Sequence, residues 1–431
     1  MSKNPVEIFS EYSRRLGDTY SFHFGGVQKT IVTCNPGVMQ HILQKNYTNY
    51  RKSDIQVKRM GHFLGKGLLT SHGEYWLTQR RLIQEGFHKD KLASFIQIMD
   101  EVLSDSLARL EAEMEGGPID ICPLMNELTF RIVTSTLFST RLSDSELATV
   151  SDSISNIQQF IVRQIVQPYL NPWFKVSGTL NKYETMRNES DNVFRNNITD
   201  RRKNNGQHTD MLQILLDARY KETGIGMTDE QILMETMQLI VAGHETSSTS
   251  LSWILYLLTQ NPDCLIKVKK EIMDNIGDEP INIYHLHKLE YTIQVIEESL
   301  RLYPPFWMVD REANEDDEVL GYFIPKNSMI ISFIYGVHHS NTYWDNPEKF
   351  DPERFSKTNI KKQVPFSHLP FGGGPRLCIG ANYAQLQMLM ILVTIFRKYN
   401  FELAQDHPVE IGPMIILRPK NGIKMKFTKI K

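Results

Sequence analysis

Phe371-Gly372-Gly373-Gly374-Pro375-Arg376-Leu377-Cys378-Ile379-Gly380 is the stretch whose reading decides the fold. It sets one cysteine in a glycine-rich turn, with an arginine two residues before it and an apolar helical pattern directly after it. Two readings compete for the thiol. A lone cysteine in an intracellular chain is commonly a buried structural side chain. A thiolate bound axially to heme iron instead needs a sulfur that stays deprotonated, is shielded from water and is approached closely by backbone that glycine permits. The choice rests on whether the rest of the chain supplies the other parts.

The bulk properties allow a large globular protein. The 431 residues are 41% hydrophobic and 23% charged, and the formal net charge of -2 gives no reason to invoke nucleic acid. No Pro/Gly/Ser linker, repeat or low-complexity tract marks a cut, so residues 1–431 are expected to form a single domain. The opening MSKNPVEIFSEYSRRLGDTYSF contains no apolar run long enough for a signal peptide or a membrane span. Cys34, Cys122, Cys264 and Cys378 are scattered and lack the paired spacing of a zinc site. They read as reduced thiols of a cytoplasmic protein.

Along the chain, Thr19–Phe24 and Lys29–Thr33 alternate apolar and polar residues around Gly25-Gly26, a hairpin signal. From about residue 75 the pattern turns mainly helical. Thr228-Asp-Glu-Gln231 is a capping box that opens a long helix, and Asn261-Pro262 closes it near Gln260. A helix so long and so apolar has to run through the middle of a globule. A second helix is predicted from about Leu286 to Tyr303, ended by Pro304-Pro305, and a third from about Ala381 to Lys398. Met414–Phe427 reads as strands around a Pro419–Gly422 turn. The fold class is therefore mainly α: a large helical lobe with a long central helix, and a smaller β-rich lobe drawn from about 17–70, 305–335 and 405–431.

Three further constellations bear on chemistry. Within the long helix, Ala242-Gly243-His244-Glu245-Thr246-Ser247 removes bulk from one face, and Thr246 can bond a carbonyl one turn back and loosen the ladder. An acid beside a hydroxyl makes a proton relay, though a helix-packing notch with a solvated acid fits the hexapeptide equally well. Glu298 and Arg301 lie at i and i+3 on one helix face, and Asp351-Pro-Glu-Arg354-Phe355 follows downstream. Trp76 and Arg80 stand one helical turn apart, so an indole N–H and a guanidinium can face the same carboxylate.

Taken in order, these motifs resemble the cytochromes P-450. The cysteine turn matches F-x-x-G-x-R-x-C-x-G at Phe371, Gly374, Arg376, Cys378 and Gly380. The hexapeptide matches [AG]-G-x-[DE]-T-[TS], and W-x-x-x-R, E-x-x-R and P-E-R-F fall where the family puts them. The resemblance implies heme b (iron protoporphyrin IX) with Cys378 as its axial ligand and Phe371, Gly372 and Gly380 shaping the turn. It implies Ala242 against the heme, and Trp76, Arg80, Arg311 and Arg376 on the propionates. Thr246 and Glu245 would be the catalytic pair that delivers protons during oxygen activation, which removes His244 as a metal ligand. Glu298, Arg301 and Arg354 would form a structural network behind the cysteine turn.

The implied activity is a monooxygenase that inserts one atom of O2 into a C–H bond, using NAD(P)H electrons. No flavin domain is expected after Cys378. Electrons would come through a ferredoxin and ferredoxin reductase, or a flavodoxin-type carrier, docked near Arg81, Lys89, Lys91, Lys361 and Lys362. A soluble, bacterial-type monomer without a membrane anchor is expected. A heme-thiolate sensor or a peroxide-dependent enzyme is the contrasting class, and the intact Glu245-Thr246 pair argues against both.

The resemblance puts Leu239, Gly243, Phe306 and Val309 in the substrate pocket. Such pockets are mostly apolar, which favours hydroxylation of a fatty acid or terpenoid. Against that, Asn156, Gln158, Gln159, Gln164, Gln167, Tyr169, Asn171 and Trp173 would suit a polar methyl ether such as a methylated sugar, undergoing O-demethylation. The competing reading turns those amides to solvent on amphipathic helices, as amides mostly are.

Overall fold

The computed structural model describes residues 4–114, 117–203, 208–221, 223–404 and 409–430, apart from the side chains at positions 89, 112 and 113. Sixteen α-helices and several small sheets account for the described residues, so the expectation of a mainly α fold is met. The chain divides into two compact units. One comprises Met1–Arg51, Leu103–Asn126 and Thr246–Lys431; the other comprises Lys52–Val102 and Glu127–Glu245.

The first unit holds the β structure. Thr19–Phe24 and Gln28–Thr33 form the expected hairpin, with Gly25 and Gly26 both at positive φ in its turn. Gln28–Thr33 pairs in parallel with Met329–Ser332, which pairs with Val309–Ala313, and Tyr50–Arg51 completes the five-stranded sheet. The β-rich stretch does not extend to residue 70 as expected: Ile55–Leu64 is helical and belongs to the second unit.

The C-terminal strands also differ from expectation. Leu417–Pro419 pairs back onto Ile411–Pro413, while Lys424–Lys429 leaves to pair with Tyr399–Leu403 and Ile119–Asp120. The Asp120 carboxylate directs this split by accepting from the backbone N–H of both Ile423 and Cys122, at 3.0 Å each. Residues 405–408 of the expected β segment lie outside the described residues. The helix predicted over 286–303 is two helices, Ile283–His287 and Glu290–Leu302. The break has a partner that local pattern does not reveal: the Glu271 carboxylate accepts from Tyr291 N–H, Thr292 N–H and the Thr292 hydroxyl, capping a new N-terminus.

Ala381–Lys398 forms as expected, and every residue from Leu386 to Phe396 is buried. Trp253 stacks on Tyr303 with centroids 3.9 Å apart and donates its indole N–H to the Leu417 carbonyl.

In the second unit, Gly73–Gln84 carries Trp76 and Arg80. The loop before it is held by the first part of the helix Asp229–Gln260. Leu68 N–H donates to Glu235, Leu69 N–H donates to Gln238, and the Gln238 amide donates back to the Leu64 carbonyl. That helix opens on the expected capping box, with Thr228 and Gln231 each accepting from the other's backbone N–H.

Candidate active site

The cysteine turn is closed by its own backbone. Gly372 N–H donates to the Leu369 carbonyl, Leu377 N–H to that of Gly374, and Cys378 N–H to that of Phe371. Gly374 sits at φ +66, and a Cβ there would lie 1.9 Å from the carbonyl oxygen of Leu43, so only hydrogen fits. Gly380 is the N-cap residue of Ala381–Lys398, which puts Cys378 at the positive end of an 18-residue helix. Cys378 is exposed. Cys34 is buried and Cys122 half-buried, and desolvation pushes their thiols up to about 11 and about 12, so both stay neutral at physiological pH.

Glu298, Arg301 and Arg354 meet in one cluster. Arg301 forks onto both Glu298 oxygens at 2.6 and 2.8 Å, and both side chains are fully buried. Arg354 reaches the same carboxylate at 3.3 Å and Asp351 N–H at 2.8 Å. Burial raises the Glu298 carboxyl, and these donors act to lower it. Sequence reasoning missed His338. Its Nδ1 donates to the Arg301 carbonyl, its Nε2 accepts from Leu369 N–H, and Arg301 Nη1 donates to its own carbonyl. Burial holds this imidazole well below its usual pKa, hence neutral.

The long helix is buried for most of its length; Ala242 is exposed, and Val241, Gly243, Glu245 and Thr246 are half-buried. It is continuous from Asp229 to Gln260. The Thr129 hydroxyl, from helix Ile121–Phe138, donates to the His244 carbonyl at 3.0 Å. His244 is buried, neutral with a pKa lowered to about 4, and donates Nδ1–H to the Ile240 carbonyl. Its ring meets Phe130 edge-on, a packing role. The Glu245 carboxylate accepts from the Gln158 amide, a partner the sequence did not reveal.

Arg311 is 6% exposed on a central strand, and among the described residues no carboxylate forms an ion pair with it. Its Nη1 donates to the Asp310 carbonyl, and burial lowers its affinity for its proton. A buried guanidinium in that condition calls for an anion. Arg80 lies 5.9 Å from the ring of Trp76, itself 6% exposed, so the indole and the cation share one helix face. Arg376 is in the short 3-10 turn Gly374–Arg376, five positions before the helix that follows Cys378. Within the first unit, a thiol at a helix start and a buried arginine with no ion-paired carboxylate among the described residues are groups that could hold the iron and a propionate of an anionic heme; within the second, the indole–guanidinium pair could serve a carboxylate.

Leu239 is buried, Gly243 and Phe306 are half-buried, and Val309 opens the strand that carries Arg311. The amides of 156–174 do not act as one set. Asn156, Gln159, Tyr169 and Trp173 are exposed, whereas Gln158 faces Glu245 and Gln164 is buried. Arg81, Lys361 and Lys362 are exposed and Lys91 is half-buried; the Lys89 side chain lies outside the described residues. No described helix is long and apolar enough to cross a membrane.

The family model described as Cytochrome P450 matches residues 1–427. The chain is 30% identical to cyclooctat-9-en-7-ol 5-monooxygenase of Streptomyces melanosporofaciens, over 87% of this chain and 80% of that protein. It is 28% identical to the Protein LUTEIN DEFICIENT 5, chloroplastic, of Arabidopsis thaliana, over 98% of this chain and 73% of that one. Lithocholate 6-beta-hydroxylase of Mesocricetus auratus is 28% identical, over 96% of this chain and 85% of its own length.

Proposed function

This chain belongs to the cytochrome P-450 family and is a heme-thiolate monooxygenase, and on that premise we propose that it hydroxylates a lipophilic substrate, a terpenoid or a fatty acid. The observation that carries this reading is the outward placement of Asn156, Gln159, Tyr169 and Trp173, which takes half of the eight polar and aromatic residues of this segment away from a pocket. Of the residues assigned to the pocket, Leu239, Phe306 and Val309 are apolar and Gly243 carries no side chain. The relatives named for cyclooctat-9-en-7-ol and lithocholate agree with a hydrocarbon skeleton bearing few polar groups.

In this proposal residues 1–431 act as one catalytic domain, and the Cys378 thiolate would hold the heme iron. Bound heme supplies the activation of O2 and the transfer of one oxygen atom to carbon, with thiolate donation favouring O–O cleavage. Arg311, Arg376, Arg80 and Trp76 hold the propionates. Phe371, Gly372 and Gly380 shape the turn around the sulfur. Glu245 takes protons from solvent and passes them toward the Thr246 hydroxyl, one residue on. Electrons from NAD(P)H arrive through a ferredoxin and its reductase, drawn by the cations at Arg81, Lys91, Lys361 and Lys362. We place the enzyme in the cytoplasm.

The test is a Soret titration of the ferric enzyme with fatty acids and terpenoids against small methyl ethers, including O-methyl sugars. A saturable shift to shorter wavelength with lipophiles alone supports the proposal. A shift with the sugar ethers alone overturns it and makes O-demethylation the reaction.

A further inference from the structure

We propose that Gln158 is a positioning residue for Glu245: its side-chain amide holds the carboxylate at the place from which protons are passed to Thr246. This rests on the reading of Glu245 as the proton-delivering acid. The Gln158 Nε2–H donates to Glu245 Oε2. Gln158 is not on the solvent face of helix Asp144–Val166. It shares the stripe of Ile154, Ile157 and Ile161, all buried, while Asn156, Gln159 and Arg163 point outward. A polar side chain on an apolar stripe needs a partner, and Glu245 is that partner.

The backbone on both sides of the bond is fixed. Two residues beyond Gln158, Phe160 stacks on Tyr183 with centroids 4.1 Å apart and meets Phe174 edge-on at 5.2 Å. The Ser153 hydroxyl donates to the Met186 carbonyl at 3.1 Å. On the other side, Thr129 holds the His244 carbonyl and the His244 ring holds that of Ile240, one residue and one turn before Glu245. Between two anchored helices, the Gln158 amide contributes a directed hydrogen bond to the Glu245 carboxylate.

An amide suits this duty better than a cation would. Glu245 must alternate between carboxylate and carboxylic acid as protons pass. The amide N–H donates to the first form, and the amide carbonyl can accept from the second. A lysine or arginine could serve only the ionised form and would make each protonation costlier.

The test compares the heme-loaded enzyme with Gln158→Met, Gln158→Asn, Glu245→Gln and the double variant Gln158→Met/Glu245→Gln. Met fills the same volume without a donor, and Asn keeps the amide but is too short to reach. Both should lower product formation about tenfold, the size a single charge-assisted hydrogen bond commands. Both should divert electrons to hydrogen peroxide and raise the solvent deuterium isotope effect, with substrate affinity by Soret titration held within about twofold. A crystal structure of Gln158→Met should find the Glu245 carboxylate displaced, and the double variant should match Glu245→Gln. Normal coupling in both Gln158 variants, an undisplaced carboxylate, or a further loss in the double variant overturns the proposal. Normal coupling in Glu245→Gln would instead overturn the assignment of Glu245 itself.

Discussion

Leu369 N–H donates to Nε2 of His338 at 2.9 Å, while Nδ1 of the same ring donates to the Arg301 carbonyl at 3.0 Å. One neutral imidazole thus spans the gap between the buried Glu298–Arg301 pair and the segment entering the cysteine turn. His338→Ala leaves a buried N–H and a buried carbonyl unpaired, at about 1–3 kcal/mol each. Lower heme content per chain and a lower unfolding midpoint are expected together. A variant that loads heme normally and melts at the wild-type temperature would deny the imidazole this spacer role.

Gly374→Ala tests the turn itself. The added methyl collides with the backbone of Leu43 and meets a positive φ, so the turn has to move. The expected result is a chain that keeps its far-ultraviolet circular dichroism and loses the thiolate-type carbon monoxide difference spectrum.

Arg311→Met should act with opposite signs on two measurements. In the heme-free chain it removes a buried charge that no carboxylate among the described residues ion-pairs, raising unfolding stability by on the order of 2 kcal/mol. In the loaded enzyme it removes a propionate partner, so heme transfers faster to a scavenger such as apomyoglobin. Loss of stability in the heme-free chain would instead mean that Arg311 is a structural residue.

Glu235 supplies a pH signature. It is fully buried, and burial pushes its carboxyl up to about 7 from an ordinary 4.5. The folded chain therefore keeps this proton while the unfolded chain gives it up. The contribution is complete below pH 4.5, declines as pH rises to about 7, and is flat beyond. Glu235→Gln keeps an acceptor for Leu68 N–H and removes the decline, so above pH 7 it should exceed wild type by about 3 kcal/mol. Denaturant midpoints of the two proteins across pH 4 to 8 measure the difference; parallel curves would contradict it.

Features set by neighbours in sequence were legible beforehand, and features set by distant partners were not. The capping box at Thr228–Gln231, the hairpin at Gly25-Gly26 and the helix after Cys378 depend on local chemistry, and they form where expected. The Glu298, Arg301 and Arg354 trio was also readable, because three ordered motifs stood behind it. The break before Glu290 was not, since its cap comes from Glu271 on another helix. Nor was the Lys424–Lys429 pairing, which Asp120 helps fix from three hundred positions away. Gln158 left a trace: it interrupts an apolar stripe at helical spacing, but eight polar and aromatic residues read as one group hid it. His338 left none, because a histidine in an apolar segment looks the same whether it joins two backbones or merely fills space.

The parallel ladder that joins Thr30 to Met329 also sets a timetable for synthesis. The hairpin of Thr19–Thr33 leaves the ribosome early, and the strand that covers its edge emerges only when most of the chain has been made. Until then Ile31 and Val32, which end up buried, stand on an open sheet edge. An edge left waiting so long is prone to pair with another nascent chain. Yield in a host should therefore depend on translation rate and chaperone supply more steeply than the stability of the finished enzyme would suggest.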